Sequence, residues 1–196
     1  KSLGNVINPE EEVEKYGLDA FRYYLMREAT FGQDADYSKK AMVQRINADL
    51  ANDLGNLLNR TIGMQKKYFN SEVVLNEVEE NFDIEIKELW KNTLVDLDKH
   101  VNNYQFSEAL KDIWKFISRM NKYIDECEPW KLSKDESRKD RLSTVMYNLV
   151  DSLYKIAVLI SPFMPETAQK MINQLGLDKD VTKLHLDDIR EWKSYP

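Results

Sequence analysis

The chain has 196 residues, 34 acidic and 28 basic side chains, a formal net charge of −6 and 42% hydrophobic residues. That is the composition of a globular protein rather than a disordered one, and the excess of acid argues against a protein that coats nucleic acid through phosphate contacts alone. No run of about 18 apolar residues offers a membrane span, the first residues (Lys1, Ser2, Leu3, Gly4, Asn5) lack the apolar run of a secretory signal, and the single cysteine, Cys127, precludes an internal disulfide and fits a reducing cytoplasm.

No proline stands between Pro9 and Pro129, and that interval holds only four glycines, Gly17, Gly32, Gly55 and Gly63. The apolar spacing within it is helical. Asn8 before Pro9, followed by Glu10, Glu11 and Glu12, predicts a helix start with a capping amide and acids at the positive end of the helix dipole. A second helix is expected from about Leu18 to Glu28, and Thr30 to Tyr37, with Gly32, Asp34 and Asp36, reads as a loop. Ser38 then caps a long helix to about Tyr68, with Ile46, Leu50, Leu54, Leu57, Leu58 and Ile62 on one face. Further helices are expected from about Asp83 to Val101, from a cap at Ser107 to about Glu126, from about Asp140 to Ile160, and from Pro165 to about Leu175, stopped by Gly176. Short pieces near Lys1–Val6 and Lys183–Leu186 are the only strand candidates. The pattern predicts an all-α, antiparallel helix bundle with a short N-terminal connecting segment. Trp90 and Trp114 belong to its core, and the acidic tract from Glu72 to Glu88 reads as a solvated loop and helix face.

Several chemistries find no footing. His100 and His185 stand alone, without a second histidine or cysteine at metal-ligand spacing, so no metal site is expected. No glycine-rich phosphate loop or nucleophile elbow is present. Cys127 lies between Glu126 and Glu128, which would raise its thiol pKa, and reads as a structural cysteine.

One polar stripe asks for an explanation. Asn52, Asn56 and Arg60 are spaced four apart, at about 0°, 40° and 80° on an ideal helical wheel, while Leu57, Leu50, Leu54 and Leu58 fall between about 140° and 240°. Asparagine is a poor helix former, but its amide offers a donor and an acceptor side by side, matching the edge of an unstacked base. Arginine adds a planar fork. Spacing alone leaves three readings open: base recognition, ordinary surface polarity and hydrogen bonding between helices. Further on, Pro129 stiffens the chain before Trp130. That indole either stacks on a base or plugs the end of the bundle.

These residues together resemble a known family. Asn52-Asp53-Leu54-Gly55-Asn56-Leu57-Leu58-Asn59-Arg60, followed by Pro129-Trp130, is similar to the anticodon-binding domain of the bacterial methionyl-tRNA synthetases, class I enzymes. Lys1-Ser2-Leu3-Gly4-Asn5 resembles the end of their K-M-S-K-S loop, and Tyr16-Gly17-Leu18-Asp19-Ala20-Phe21-Arg22, Phe31-Gly32-Gln33-Asp34 and Ser161-Pro162-Phe163-Met164-Pro165 resemble segments that follow it. The resemblance implies that residues 1–36 form the end of that loop and a segment contacting the inner tRNA, and that residues 37–196 form the anticodon-binding bundle. It implies that Asn56, Arg60 and Trp130 read the anticodon C-A-U, chiefly its first base, with Asn52 and Pro129 shaping the site. Lys1 would stabilise ATP phosphates. The H-I-G-H motif is absent, so this stretch alone is not expected to aminoacylate. Catalysis, with ATP and Mg2+, would fall to an upstream catalytic domain. The bundle of another class I synthetase, or a helical scaffold without RNA binding, are the alternatives.

The charge divides by region. Residues 39–67 carry a net +4 and residues 72–98 a net −7, so the acidity sits away from the stripe.

Overall fold

The computed structural model describes residues 7–34 and 37–196. Among the described residues nine α-helices follow one another: α1 (Pro9–Tyr16), α2 (Leu18–Glu28), α3 (Lys39–Arg45), α4 (Asn56–Phe69), α5 (Asn81–Asn102), α6 (Phe106–Cys127), α7 (Pro129–Leu132), α8 (Lys139–Ile160) and α9 (Pro165–Gln174). The described residues contain no strand. The expected piece at Lys183–Leu186 is instead a 3-10 turn at Val181–Lys183 leading into another at Leu186–Ile189. Lys1–Val6 lies outside the described residues.

The helix starts follow the capping chemistry of the sequence, with one exception. Asn8 Oδ1 accepts from Glu10 N (3.1 Å), and Ser38 Oγ accepts from Ala41 N (3.2 Å). Ser107 is not a cap: it is buried inside the first turn of α6, behind Gln105, because Tyr104 takes a left-handed φ of 58° and closes the α5–α6 turn earlier.

Between α3 and α4 the chain stays helical, but Ile46–Gly55 is wound as a π-helix. Its i→i+5 bonding turns less per residue than an α-helix, so everything beyond it is rotated relative to an ideal wheel. Gly55 sits where this winding is tight: a Cβ there would lie 3.0 Å from the Leu50 carbonyl oxygen.

Direction alternates along the bundle. Asn56 meets Asn121 and Arg60 meets Asp125, each pair 65 residues apart, so α4 and α6 run parallel. Arg119 meets Glu85 and His100 meets Asp112, so α5 and α6 form an antiparallel hairpin. Tyr123 meets Asn148 and Ser152 meets Met120, which sets α8 antiparallel to α6. One core runs through all of them, with Trp90 1% and Trp114 5% exposed. A smaller cluster of Phe21, Tyr24 and Met42 holds the segment of α1, α2 and α3 together. That segment is fastened to the bundle by Asp19, which accepts from Thr167 N in the first turn of α9 (2.6 Å), and by Arg22, which donates to the Pro162 and Phe163 carbonyls. Tyr23 donates to Asp49 in the π-helical stretch (2.6 Å).

The acidic tract is not uniformly solvated. Asp83 is fully buried, because Arg141, itself 1% exposed, meets it at 2.6 Å. Tyr123 and Asn148 donate to Asp83 Oδ1 (2.5 and 2.8 Å), and Glu80 N donates to Oδ2 (2.6 Å). Replacing Asp83 by Ala strands a buried guanidinium and is expected to cost about 3–5 kcal/mol of stability, read by urea denaturation. The glycines give a second check. Gly63, with open space around its Cβ position, should gain about 0.5–1 kcal/mol on replacement by Ala, whereas Gly55→Ala should bring no gain because the Leu50 carbonyl occupies the space.

Candidate functional site

The seam between the parallel helices α4 and α6 carries the polar side chains. Asn56 Nδ2 donates to Asn121 Oδ1 (3.0 Å), and Arg60 Nη2 meets Asp125 Oδ1 (2.6 Å). One turn earlier, Ser118 Oγ donates to Asp53 Oδ2 (2.6 Å), and Asn121 Nδ2 donates to both the Asp53 carbonyl and Asp53 Oδ1 (3.0 Å each). Asn121 and Asp125 are four apart on α6, as Asn56 and Arg60 are on α4, so two equal helical spacings in parallel keep each rung aligned. The seam lies at the surface: the Arg60 side chain is 29% and that of Asp125 62% exposed.

Of the residues singled out by the sequence, Asn56 and Arg60 lie together on this seam. Asn52 is exposed but sits within the π-helical stretch, where the ideal wheel does not hold. The residue that turns toward α6 there is Asp53. Helix-to-helix hydrogen bonding, one of the readings left open by the spacing, is thus realised at Asn56 and Arg60. Pro129 is buried, starting α7 directly after Glu128, which adopts a left-handed conformation (φ 46°, ψ 59°) to turn the chain off α6. Trp130 is not the plug of the bundle end: Pro129 and Leu132 are buried there, while Trp130 stays 38% exposed. Its carbonyl accepts from Ser133 Oγ (3.2 Å), and Lys131 pairs with Glu128 across the short helix. No contact joins Trp130 to Asn56 or Arg60 among the hydrogen bonds and ion pairs of the described residues. Lys1 lies outside the described residues.

Asp53, Ser118, Asn121 and Asp125 were not anticipated. Asp53 carried a signal, since it falls at about 100° on the same wheel, beside Arg60 at about 80°. The three on α6 carried none, because nothing local announces a partner 65 residues away. The pairing also changes the electrostatics of the region. Within residues 39–67, Lys39 pairs with Glu12, Arg45 with Glu28 and Asp49, and Arg60 with Asp125, so much of the local positive charge is already answered.

Residues 83–194 match the family model of the anticodon-binding domain of tRNA ligases, and residues 1–62 match that of class I tRNA synthetases of the methionine group. The chain belongs to the anticodon-binding domain family of tRNA ligases. Its relatives narrow the type to methionine. It is 58% identical over 195 residues to the methionine–tRNA ligase of Fusobacterium nucleatum, covering 100% of this chain and 31% of that protein. The methionine–tRNA ligase of Caldanaerobacter subterraneus is 50% identical over 182 residues, covering 93% of this chain and 28% of that protein. In structure it is similar to the Mycobacterium tuberculosis methionyl-tRNA synthetase solved with methionyl-adenylate, with a TM-score of 0.85 and 36% identity, over 90% of this chain and 35% of that one. The chain therefore spans about a third of the length of the relatives it matches.

Cys127 ends α6 beneath the site. Burial pushes its thiol up to about 11, against the pull of the nearby Arg141 guanidinium, whose Nη2 lies 3.5 Å from Sγ. The direction is the one expected from the sequence, but the cause is different: burial raises it, with Asp83 rather than Glu126 or Glu128 as the acid that adds to it. No group of three or more His, Cys, Asp or Glu side chains among the described residues is arranged to hold a metal ion. Iodoacetamide at pH 8 is expected to leave Cys127 unmodified in the native protein and to alkylate it readily in urea, as mass spectrometry would report, because thiolate is the reactive form.

Proposed function

We propose that the chain reads the C-A-U anticodon of methionine tRNA on behalf of a methionine–tRNA ligase, chiefly through the first base, cytosine. The observation that carries this reading is Trp130, an indole left 38% exposed on a rigid Pro129 pedestal, at the end of the helix whose preceding turns meet Asn56 and Arg60. Such a ring stacks on an unstacked base, a contact worth roughly 1–3 kcal/mol. Asn56 and Arg60 supply amide and guanidinium edges for base and backbone, and Asn52 and Pro129 shape the surroundings. Family membership supports tRNA as the partner.

In this reading residues 37–196 are the anticodon-binding domain, and residues 1–36 connect it to an upstream catalytic domain and contact the inner tRNA. Lys1 belongs to the loop that steadies ATP phosphates. ATP and Mg2+ are used by that catalytic domain when methionine is attached to its tRNA. The setting is the cytoplasm. No helix of the described residues is long and apolar enough to cross a membrane. With Arg60 already paired to Asp125, recognition rests on bases more than on phosphates, so affinity falls only shallowly with salt.

An anticodon stem-loop bearing C-A-U, titrated by fluorescence anisotropy, tests the reading. Trp130→Ala should lose about 1–3 kcal/mol of binding while thermal unfolding stays cooperative. Equal affinity for loops with any other first base would overturn it.

A further inference from the structure

Asn56 is held in a particular orientation, and the group that holds it is not among the residues that the anticodon reading uses. Asn121 Nδ2 spends both of its hydrogens on acceptors, the Asp53 carbonyl and Asp53 Oδ1 (3.0 Å each). Rotating that amide by half a turn would set its oxygen against those two acceptors, so its orientation is determined by its surroundings. Asp53 is steadied in turn by Ser118 Oγ (2.6 Å). Asn121 Oδ1 must then face Asn56, and Asn56 must answer with a hydrogen from Nδ2 (3.0 Å). What Asn56 leaves outward is its carbonyl oxygen and one remaining N–H.

We propose that Asn121, oriented by Asp53, is a positioning residue that locks the Asn56 amide and thereby sets the choice between cytosine and uracil at the first anticodon base. The two pyrimidines present opposite patterns at the same places. Cytosine offers its N4 amino donor beside the N3 acceptor, whereas uracil offers the O4 acceptor beside the N3–H donor. A freely rotating amide satisfies either by turning over. A locked amide turns over only by breaking its bond to Asn121 and setting two carbonyl oxygens against each other. Losing that bond and opposing the two oxygens is set at about 1.4 kcal/mol, within the range for a net hydrogen bond, which corresponds to about tenfold in relative affinity.

This inference rests on the anticodon reading, and the test separates the two. The measurement is the ratio of affinities of the full-length ligase for methionine tRNA carrying C-A-U and for the same tRNA carrying U-A-U. Wild type should favour cytosine; no preference in wild type would overturn the anticodon reading and this inference with it. Asn121→Ala should bind the C-A-U tRNA within about threefold of wild type but shrink the preference by about tenfold. Asp53→Ala, which removes Oδ1 but leaves the backbone carbonyl to orient Asn121, should shrink the preference by less than Asn121→Ala, while Asp53→Asn, which keeps an acceptor oxygen toward Asn121, should retain it. The side-chain amide signals of Asn56 in a 15N spectrum, distinct in wild type, should draw together in Asn121→Ala. An undiminished preference in both Asn121→Ala and Asp53→Ala, with Asn56→Ala losing it, would overturn the lock and leave the anticodon reading standing. An equal loss for both tRNAs, with the ratio unchanged, would assign Asn121 to the fold alone.

Discussion

The buried pair of Asp83 and Arg141 is the constraint around which the bundle is arranged. Removing two charges from water costs several kcal/mol each, and only close pairing with additional hydrogen bonds offsets it. Asp83 accepts four hydrogen bonds, from Glu80 N, Tyr123, Arg141 and Asn148, and Asn148 Oδ1 accepts from Trp192 Nε1 in the C-terminal segment (3.0 Å). Arg141 also donates to the Val78 carbonyl (2.9 Å). One carboxylate thereby fixes α5, α6 and α8 against each other and gathers in the segments before and after them. These bonds have directions that apolar contacts lack, so the joint sets register as well as proximity.

That register reaches the surface through Tyr123. It stands on α6 between Asn121 and Asp125, pointing into the core while its two neighbours on the helix face α4. A slip of α6 along its axis would cost the Tyr123–Asp83 bond and misalign every rung of the seam at once. A second anchor works from the other side. Asp151 and Lys155 are both fully buried and paired (2.8 Å), and Asp151 also accepts from the backbone of Lys193, Ser194 and Tyr195. Burial lowers the Lys155 pKa, while Asp151 works in the opposite direction. Lys155 lies over the rings of Trp90 and Trp192, so the tail is closed over the core by an ammonium between two indoles.

Much of this was legible in the sequence, and what was not shares a cause. Periodicity placed the helices, capping chemistry identified Asn8 and Ser38, and the core roles of Trp90 and Trp114 followed from their apolar neighbours. The parts that escaped depend on tertiary partners. Asp83 looked like one more acid in an acidic tract because its guanidinium comes from α8. The pairing of Asn56 and Arg60 with Asn121 and Asp125 needs two helices side by side, and the exposure of Trp130 depends on Pro129 and Leu132 filling the space first. Ser107 had the chemistry of a cap but lost the position to a turn set by Tyr104. The winding between Ile46 and Gly55 left no mark in the composition.

That winding has a mechanical meaning. From Lys39 to Phe69 the backbone is one uninterrupted helical shaft: α2 grips it through Tyr23–Asp49 and Arg45–Glu28, and the polar seam follows about midway along it. Since each residue of an α-helix advances the azimuth by about 100°, a change of one residue in the hydrogen-bond count of the π-helical stretch would swing Asn56 and Arg60 round the shaft and away from α6. The stretch therefore works as a phase coupling, making the angular setting of Asn56 and Arg60 a function of the winding held between Ile46 and Gly55.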